Sequence, residues 1–401
     1  MIRILFVDDE PHVLDGLRRM LRTYRSEWDM TFVQSGEEAV TAMAAGPFEI
    51  VVSDMKMPGM SGTELLSKVK EAHSETVRMV LSGQASRDEV LKVVSPAHQY
   101  MAKPCGPDDL KATIEQAIAL RRLLSSRELA AVVSGIVNLP SIPSLYQALV
   151  EELNKPEPSI AKIGEIVEQD PAMTAKILRL VNSAFFGLRR EVSRISDAVS
   201  YLGTDTISTL VLSQGLFQQF DPNVVSSGEL DALWSHSMRT SRLAAAVAKS
   251  CDVGRDVVDH AFTAGMLHEV GKLVFASSFP ERWKEARAAL AAGEAHPSVV
   301  EREILGATHG EMGAYLLGLW GLPDPIVEAV AFHPVPSDHV NPSLDALSIV
   351  HVADVLAGAT SSREDTMAQL DHDYLAAVGV AGRIEGWMEL AAETLQMGSA
   401  A

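Results

Sequence analysis

The sequence has little cysteine, no long apolar run and no excess of basic residues, and each shortage excludes a class of protein. Its 401 residues include only two cysteines, Cys105 and Cys251, which fall in different predicted domains and cannot form a disulfide framework. No apolar segment approaches the roughly 20 residues that a membrane-spanning helix needs. We therefore expect a cytoplasmic protein that makes no membrane contact.

Positive charge is also scarce. The chain has 34 Lys and Arg against 53 Asp and Glu, which gives a formal net charge of −19. Binding to nucleic acid requires a focused basic surface, because the protein must neutralise backbone phosphates. The nearest basic group, Arg121, Arg122 and Arg127, has the spacing of an exposed helix face. We therefore expect no direct nucleic-acid partner.

Chemically active side chains follow four apolar runs in the first 105 residues. Asp8 and Asp9 follow Ile2–Val7, Asp54 follows Ile50–Ser53, Ser82 follows Val77–Leu81, and Lys103 follows Gln99–Ala102. The carboxyl ends of parallel strands line one crevice of an open α/β sheet, so these side chains should converge. Clustered carboxylates repel one another unless a hard divalent cation lies between them, which predicts a Mg²⁺ site. A carboxylate beside such an ion can act as a nucleophile toward a phosphoryl group.

Together with Met57-Pro58-Gly59-Met60-Ser61-Gly62 and Lys103-Pro104, this set resembles the receiver domain of bacterial two-component response regulators. The resemblance covers residues 1–120. It implies a doubly wound, flavodoxin-like α/β fold with a five-stranded parallel sheet, and a sensor histidine kinase as partner. It also implies the following roles: Asp54 as phosphoacceptor, Asp9, Asp54 and the backbone carbonyl of Lys56 as Mg²⁺ ligands with Asp8 assisting, Lys103 as a phosphoryl contact, and Ser82 and Tyr100 as switch residues.

Residues 121–135 are predicted to be a linker. An apolar stripe continues the spacing of the fifth receiver helix through Ala119–Val133, and such a stripe must be buried against something. Two interpretations stay open. The segment is either a signalling helix, packed on the second domain or on the partner subunit of a homodimer, or a stiff spacer that covers the next core.

Residues 136–333 show helical spacing and no strand pattern. Ser159 precedes one predicted helix, and Asp170 caps another that has Pro171 at its first position. The stretch Asp170–Gly187, followed by Ile195–Val199 and Leu202-Gly203, resembles the HDOD domain. Members of that family are relatives of the metal-dependent HD phosphohydrolases, but they commonly lack intact metal ligands and are regarded as regulatory output modules.

HD enzymes bind transition metals through a histidine, an adjacent His-Asp pair and a distant aspartate. Similar residues follow here in the same order: His236, His268, Glu269, His309, His333 and Asp354. Two departures weigh against catalysis. Glu269 replaces the bridging aspartate, and Phe332 precedes His333 where a phosphodiesterase branch has a histidine pair.

The resemblance therefore leaves three functions open for the helical domain. The first is a non-catalytic module that binds a downstream signalling protein. The second is a receiver-controlled phosphohydrolase that uses Fe, Mn or Zn. The third is a phosphate sink, in which the receiver removes phosphoryl groups from the kinase and the helical domain only supports the receiver. Residues 334–401 are predicted to form a helical extension, with helices at Glu364–Leu370 and Tyr374–Leu395.

Overall fold

The computed structural model describes residues 1–82, 97–103, 105–124, 126–136, 143–153, 155, 157–182, 191–213, 227–293, 296–359 and 362–398. The chain divides into two compact units, the first built mainly from the first 137 residues and the second mainly from the remainder. The helical spacing of the sequence also predicts a fourth receiver helix from about Arg87, and this segment lies outside the described residues.

A parallel sheet forms the centre of the first unit. Its strands are β1 (Ile2–Val7), β2 (Trp28–Val33), β3 (Ile50–Asp54), β4 (Val77–Ser82) and β5 (Gln99–Ala102). They lie in the order β2-β1-β3-β4-β5, and every neighbouring pair is parallel. The central strands are nearly continuous in apolar residues, as expected where helices cover both faces of a sheet. The predicted doubly wound α/β fold is confirmed.

The described helices of this unit begin where the local sequence supplies a start signal. They are α1 (Pro11–Met20), α2 (Gly36–Ala44), α3 (Gly62–Ala72), α4 (Pro107–Leu123) and α5 (Arg127–Gly135). Pro11 and Pro107 occupy first-turn positions, where the missing N–H costs nothing. Ser61 and Glu64 form a reciprocal capping box at the start of α3.

The prediction that one helix continues from α4 through Val133 is wrong. Helix α4 ends at Leu123, and Leu124 has extended backbone angles, φ −105° and ψ 107°. The Ser126 hydroxyl then accepts a hydrogen bond from the Leu129 N–H, 3.4 Å away, and caps α5 as a new helix. A serine hydroxyl offers the backbone this alternative to a continued helix. The apolar stripe is nevertheless buried, with Leu129 and Val133 each 1% exposed.

A buried arginine binds the carboxyl end of α5 to the sheet. Arg78, near the start of β4, is 1% exposed, and its Nη2 donates to the Ser134 carbonyl at 2.7 Å. Nε2 of His98 lies 2.7 Å from the same Nη2 and 2.9 Å from the Ser134 carbonyl oxygen. The guanidinium therefore faces the negative end of the helix dipole, which stabilises the contact.

The stability of this contact should depend on pH through His98. Burial and the charge of Arg78 hold the pKa of His98 well below its ordinary value of 6.5. Below about pH 6.5, His98 therefore binds a proton more readily in the unfolded chain than in the folded chain. The contribution of His98 is therefore complete above about pH 6.5 and falls by up to about 1.4 kcal/mol for each pH unit below it.

We expect His98→Gln to flatten the pH dependence of the free energy of opening in β4 and β5 between pH 7 and pH 5. Hydrogen exchange of the β4 and β5 amides measures that free energy. His12→Gln is the matched control, since the side chain of His12 is 77% exposed. If the free energy of opening depended on pH equally in wild type and in His98→Gln, His98 would not be the source of that pH dependence.

The second unit is helical, and none of its described residues forms a strand. Ser159 and Asp170 cap helices as predicted, by accepting hydrogen bonds from the N–H groups of Lys162 and Ala172. The helices are α6 (Pro143–Leu153), α7 (Ile160–Val167), α8 (Pro171–Val181), α9 (Ile195–Ser213), α10 (Ser227–Ser250), α11 (Arg255–Leu267), α12 (Val270–Ser278), α13 (Pro280–Ala292), α14 (Pro297–Leu305), α15 (His309–Leu319), α16 (Asp324–Phe332), α17 (Ala346–Gly358), α18 (Arg363–Ala368), α19 (His372–Val378) and α20 (Ile384–Gly398).

The single helix predicted over Tyr374–Leu395 is wrong, because α19 and α20 are separate. Gly379 ends α19 in the left-handed conformation, with φ 83°, which a residue without a Cβ adopts at little cost. Helix α20 then packs on α10, where Trp387 Nε1 donates to the Ser250 hydroxyl at 3.1 Å. Among the described helices, none combines the length and the apolarity needed to cross a bilayer.

Candidate phosphoacceptor and metal sites

A lysine joins two buried carboxylates at the carboxyl ends of the first unit's strands. Lys103 Nζ lies 2.6 Å from Asp8 Oδ2 and 2.5 Å from Asp54 Oδ1. Asp8 and Asp54 are 1% and 8% exposed. The strand order reverses between β1 and β3, and the site occupies that switch point, where ligands bind in open α/β sheets. The structure thus brings together three of the residues singled out from the sequence.

The loop after β3 fixes the orientation of Asp54. The backbone N–H of Lys56 donates to Asp54 Oδ2 at 2.9 Å. Gly62 packs against the same residue so closely that a Cβ there would lie 1.9 Å from the Asp54 backbone oxygen. Any larger residue at position 62 would displace the loop, so the glycine is required for this arrangement.

The electrostatics of the site keep the lysine charged. Burial by itself would lower the pKa of Lys103, but its hydrogen bonds to Asp54 and Asp8 outweigh burial and raise that pKa. The ammonium therefore faces the Asp54 carboxylate as a fixed positive charge. A cation in that position can neutralise negative charge that develops on a transferred phosphoryl group.

The structure describes the other residues expected at the receiver site to different extents. Asp9 is partly exposed and follows Asp8 at the end of β1. Ser82 and Tyr100 lie on β4 and β5, and their side chains are outside the described part of the structure. The oxygen-only donor set of Asp8, Asp9 and Asp54 fits a hard cation such as Mg²⁺.

A second group of side chains converges inside the helical unit. The six members come from five places in the chain: His236 from α10, His268 and Glu269 from the turn between α11 and α12, His309 from the start of α15, His333 from the end of α16, and Asp354 from α17. All six residues expected from the sequence are therefore in one cluster.

The cluster has an outer part and an inner part, and Glu269 contributes to both. In the outer part, Asp354 Oδ1 lies 2.8 Å from His236 Nε2 and 3.3 Å from His268 Nε2. In the inner part, His309 Nε2 lies 3.1 Å from His333 Nε2 and 3.8 Å from Glu269 Oε2. The other oxygen of Glu269 is 4.0 Å from His236 Nε2. One ligand atom from each of His236, His268, Glu269 and Asp354 lies within 4.8 Å of the others.

Hydrogen bonds on the far side of three imidazoles turn Nε2 of each toward the centre. Nδ1 of His268 donates to the Gly265 carbonyl at 2.8 Å, and Nδ1 of His333 donates to the Val330 carbonyl at 2.9 Å. Nδ1 of His309 faces both carboxylate oxygens of Glu301, at 2.9 and 2.8 Å. Because carbonyl and carboxylate oxygens accept hydrogen bonds, Nδ1 of each ring carries a proton, and Nε2 faces the centre of the cluster.

These groups fit a transition metal. Imidazole nitrogen and carboxylate oxygen are the ligands that Fe, Mn and Zn accept. Nε2 of His309 and Nε2 of His333 lie 3.1 Å apart, and two imidazole nitrogens at this distance need a proton or a metal cation between them. Oε2 of Glu269 is buried and has no hydrogen-bond partner among the described residues. A buried carboxylate oxygen left in this way is costly, and a metal ion would satisfy it.

The acidic members of the cluster are ionised. Although burial opposes ionisation, the neighbouring His268 and His236 hold the pKa of Asp354 well below its usual range. Lys272, with Nζ 2.5 Å from Glu269 Oε1, and His309 lower the pKa of Glu269 against the same penalty. Burial lowers the pKa of His333 well below its ordinary value, so that ring is neutral and available as a ligand.

The turn that carries Glu269 lies close to the start of α15. A Cβ on Gly271 would lie 1.9 Å from the His309 carbonyl oxygen, so α12 begins directly against the start of α15. This close approach carries the Glu269 carboxylate between the outer and inner parts. The sequence prediction missed Glu301. The signal for it was an acidic residue between Val300 and Leu305 on an apolar helix face, where a carboxylate needs a buried partner.

Family models match both units. The model described as response regulator receiver domain matches residues 4–115, and the model described as HDOD domain matches residues 139–336. Asp8, Asp54 and Lys103 fall within the first range. The HDOD range includes the cluster residues from His236 to His333, whereas Asp354 lies beyond it.

Individual relatives cover parts of the chain. A protein of Treponema pallidum (strain Nichols) named as uncharacterized is 28% identical over 204 residues, which are 51% of this chain and 39% of that protein. The hydrogenase transcriptional regulatory protein HoxA of Cupriavidus necator is 36% identical over 122 residues, 30% of this chain and 25% of that protein. The chain therefore spans well under half the length of these relatives.

One solved structure shares the fold over a larger part of the chain. The crystal structure of a virulence factor from Campylobacter jejuni covers 67% of this chain and 96% of its own, with a TM-score of 0.50 and 20% identity. At that identity the likeness shows the fold alone.

Proposed function

We propose that this protein has a phosphorylation-dependent role in cytoplasmic signal transduction. In its chain a response regulator receiver domain precedes an HDOD domain. Asp54 accepts a phosphoryl group from a sensor histidine kinase. The observation that carries this proposal is the contact of Lys103 with both Asp8 and Asp54 at the switch point of the sheet. The HDOD domain, with the linker at 121–135 and the extension at 334–401, then delivers the output by binding a downstream signalling protein.

Each residue of the receiver site has a part in the transfer. An oxygen of Asp54 attacks phosphorus, so that a P–O bond forms while the P–N bond to the kinase histidine breaks. Lys103 leaves Asp54 Oδ1 for a phosphoryl oxygen and keeps its contact with Asp8. Magnesium, held by Asp9, Asp54 and the Lys56 carbonyl with Asp8 assisting, would neutralise charge on the transferred oxygens. Ser82 and Tyr100 are the residues proposed to respond.

The receiver proposal is tested by incubating the purified chain with acetyl phosphate and MgCl₂ and measuring its intact mass. We expect a gain of one phosphoryl group that hydroxylamine removes, because an acyl phosphate is cleaved by that nucleophile. We also expect no gain when EDTA replaces MgCl₂. An unchanged mass under all conditions would reject phosphorylation at the receiver.

A second candidate function rests on the histidine–carboxylate cluster. We propose that these six residues hold Fe, Mn or Zn and that the HDOD domain is a phosphohydrolase under receiver control. The observation that favours it is the inward Nε2 orientation of His268, His309 and His333 around the unsatisfied Glu269 oxygen. A metal bound there would supply an activated water or a Lewis acid for phosphoester cleavage.

Hydrolysis of bis(p-nitrophenyl) phosphate by the metal-loaded chain distinguishes the two outputs. If the domain is catalytic, p-nitrophenolate should be released at a rate that changes with acetyl phosphate treatment. Release that equals the rate with free metal alone would leave protein binding as the output. The receiver test is independent of this one, since it reads only the mass change at Asp54.

A further inference from the structure

One buried carboxylate contacts the metal cluster without facing its centre. Glu301 on α14 is fully buried, with 0% exposure, and it is not among the residues that the sequence singled out. Its Oε2 accepts the backbone N–H of His309 at 2.8 Å, and its two oxygens lie 2.9 and 2.8 Å from Nδ1 of the same residue. Glu301 therefore holds both the main chain and the ring of His309.

This arrangement fixes one ring more strongly than the others. A main-chain carbonyl contacts Nδ1 of His268 and of His333, whereas a full negative charge contacts Nδ1 of His309. A carboxylate behind an imidazole fixes the tautomer and makes Nε2 a stronger donor to a metal. The charge of Glu301 also offsets part of the charge that a divalent ion would bring into a buried site.

The geometry separates His309 from the outer part of the cluster. Its Nε2 approaches His333 Nε2 at 3.1 Å and Glu269 Oε2 at 3.8 Å. The outer part, His236 with His268 and Asp354, has its own carboxylate and is more open, since the side chains of His236 and Asp354 are 18% and 25% exposed. Glu269, shared by both parts, is the residue able to bridge two ions.

We propose that Glu301 is a positioning residue which, through His309, creates an inner metal subsite formed by Glu269, His309 and His333, distinct from an outer subsite formed by His236, His268 and Asp354. This inference rests on the second proposed function. It assigns the cluster two divalent transition-metal ions and makes one of them dependent on Glu301.

Titration of the metal-free full chain with Co²⁺, followed by visible absorption and equilibrium dialysis, tests this assignment. Wild type should bind two equivalents. Glu301→Gln, which keeps the side-chain size, should weaken one binding step about 10- to 100-fold and alter its absorption band, and it should leave the other step unchanged. His236→Ala should weaken the other step. Glu303→Gln, an exposed change on the same helix, should match wild type.

Two results would overturn the inference while leaving the metal site in place. In one, Glu301→Gln binds both equivalents as wild type does. In the other, Glu301→Gln and His236→Ala weaken the same step, which would mean a single site. Circular dichroism of the metal-free variants checks the fold, and His236→Ala by itself still shows whether a separate inner step exists. Wild type that binds no Co²⁺ would instead reject the second proposed function.

Discussion

Asp54→Asn is expected to abolish the phosphoryl uptake seen with acetyl phosphate, from one group per chain to none. The amide keeps the size of the side chain, and its oxygen can still accept the Lys56 N–H that orients the residue, so the loop after β3 should keep its position. The NH2 group cannot accept from Lys103, which keeps its contact with Asp8. A neutral amide, however, cannot supply the anionic oxygen that attacks phosphorus. The variant should therefore keep its fold and lose all phosphoryl uptake, because the attacking oxygen is absent.

Intact-mass analysis and peptide mapping measure this result. Asp15→Asn is the matched control, because Asp15 is an exposed carboxylate on α1 that pairs with Arg18. Phosphoryl incorporation that persists in Asp54→Asn, at this peptide or another, would show that a different residue is the acceptor. Lost incorporation together with lost helix content would require a milder substitution in the same loop.

Chelator-free purified protein is expected to carry about two transition-metal ions per chain, and His268→Ala combined with Asp354→Ala is expected to lower this content to about one, because both residues belong to the proposed outer subsite. The pair supplies two donors that lie 3.3 Å apart in the outer part of the cluster. Removing donors from a site with few ligands usually lowers metal affinity by orders of magnitude. The bridging Glu269 also loses the His268 ring beside it.

Elemental analysis by mass spectrometry measures the bound metal before and after reconstitution with Fe, Mn and Zn. His260→Ala with Asp256→Ala is the matched control, since both residues lie on α11 outside the cluster. Equal metal content in the two double variants would place the metal elsewhere. Wild type without metal after reconstitution would leave a protein-binding HDOD domain as the output.

The receiver site was predictable because its residues sit at fixed points of a regular fold. Once strands end at Val7, Asp54 and Ala102 in a parallel sheet, the side chains at those ends meet by geometry alone. The Asp8–Lys103–Asp54 contact follows from that rule. What the rule does not supply is detail within loops, such as the Lys56 N–H on Asp54 or the need for glycine at 62.

The six residues of the helical cluster could be predicted from the sequence, but the residue that holds His309 in place could not. The order of histidines and carboxylates along the chain pointed to six residues. Four of them lie within one potential metal site, and His309 and His333 adjoin it through Glu269. Glu301 escaped because its contact with His309 depends on how α14 packs on α15. Helical periodicity gives the buried face of each helix, whereas the rotation and offset between two helices come from side-chain packing.

The two helix breaks were missed for a related reason. Apolar spacing alone favoured one continuous helix beyond Leu120 and another beyond Tyr374. Local competitors interrupted both, through the Ser126 cap in the first case and the left-handed Gly379 in the second. Such signals are short and common, so they decide a boundary only when tertiary contacts bury each resulting segment.

The separation of α4 from α5 determines which motion of the receiver α5 can follow. An uninterrupted helix behaves as a stiff rod and conveys torsion from one end to the other. The extended backbone at Leu124 interrupts that rod, so we expect little of a twist of α4 about its axis to reach α5. Helix α5 is instead coupled at its far end, where the Ser134 carbonyl contacts Arg78. A shift of β4 along its own direction, rather than rotation of the preceding helix, is the movement that α5 would track.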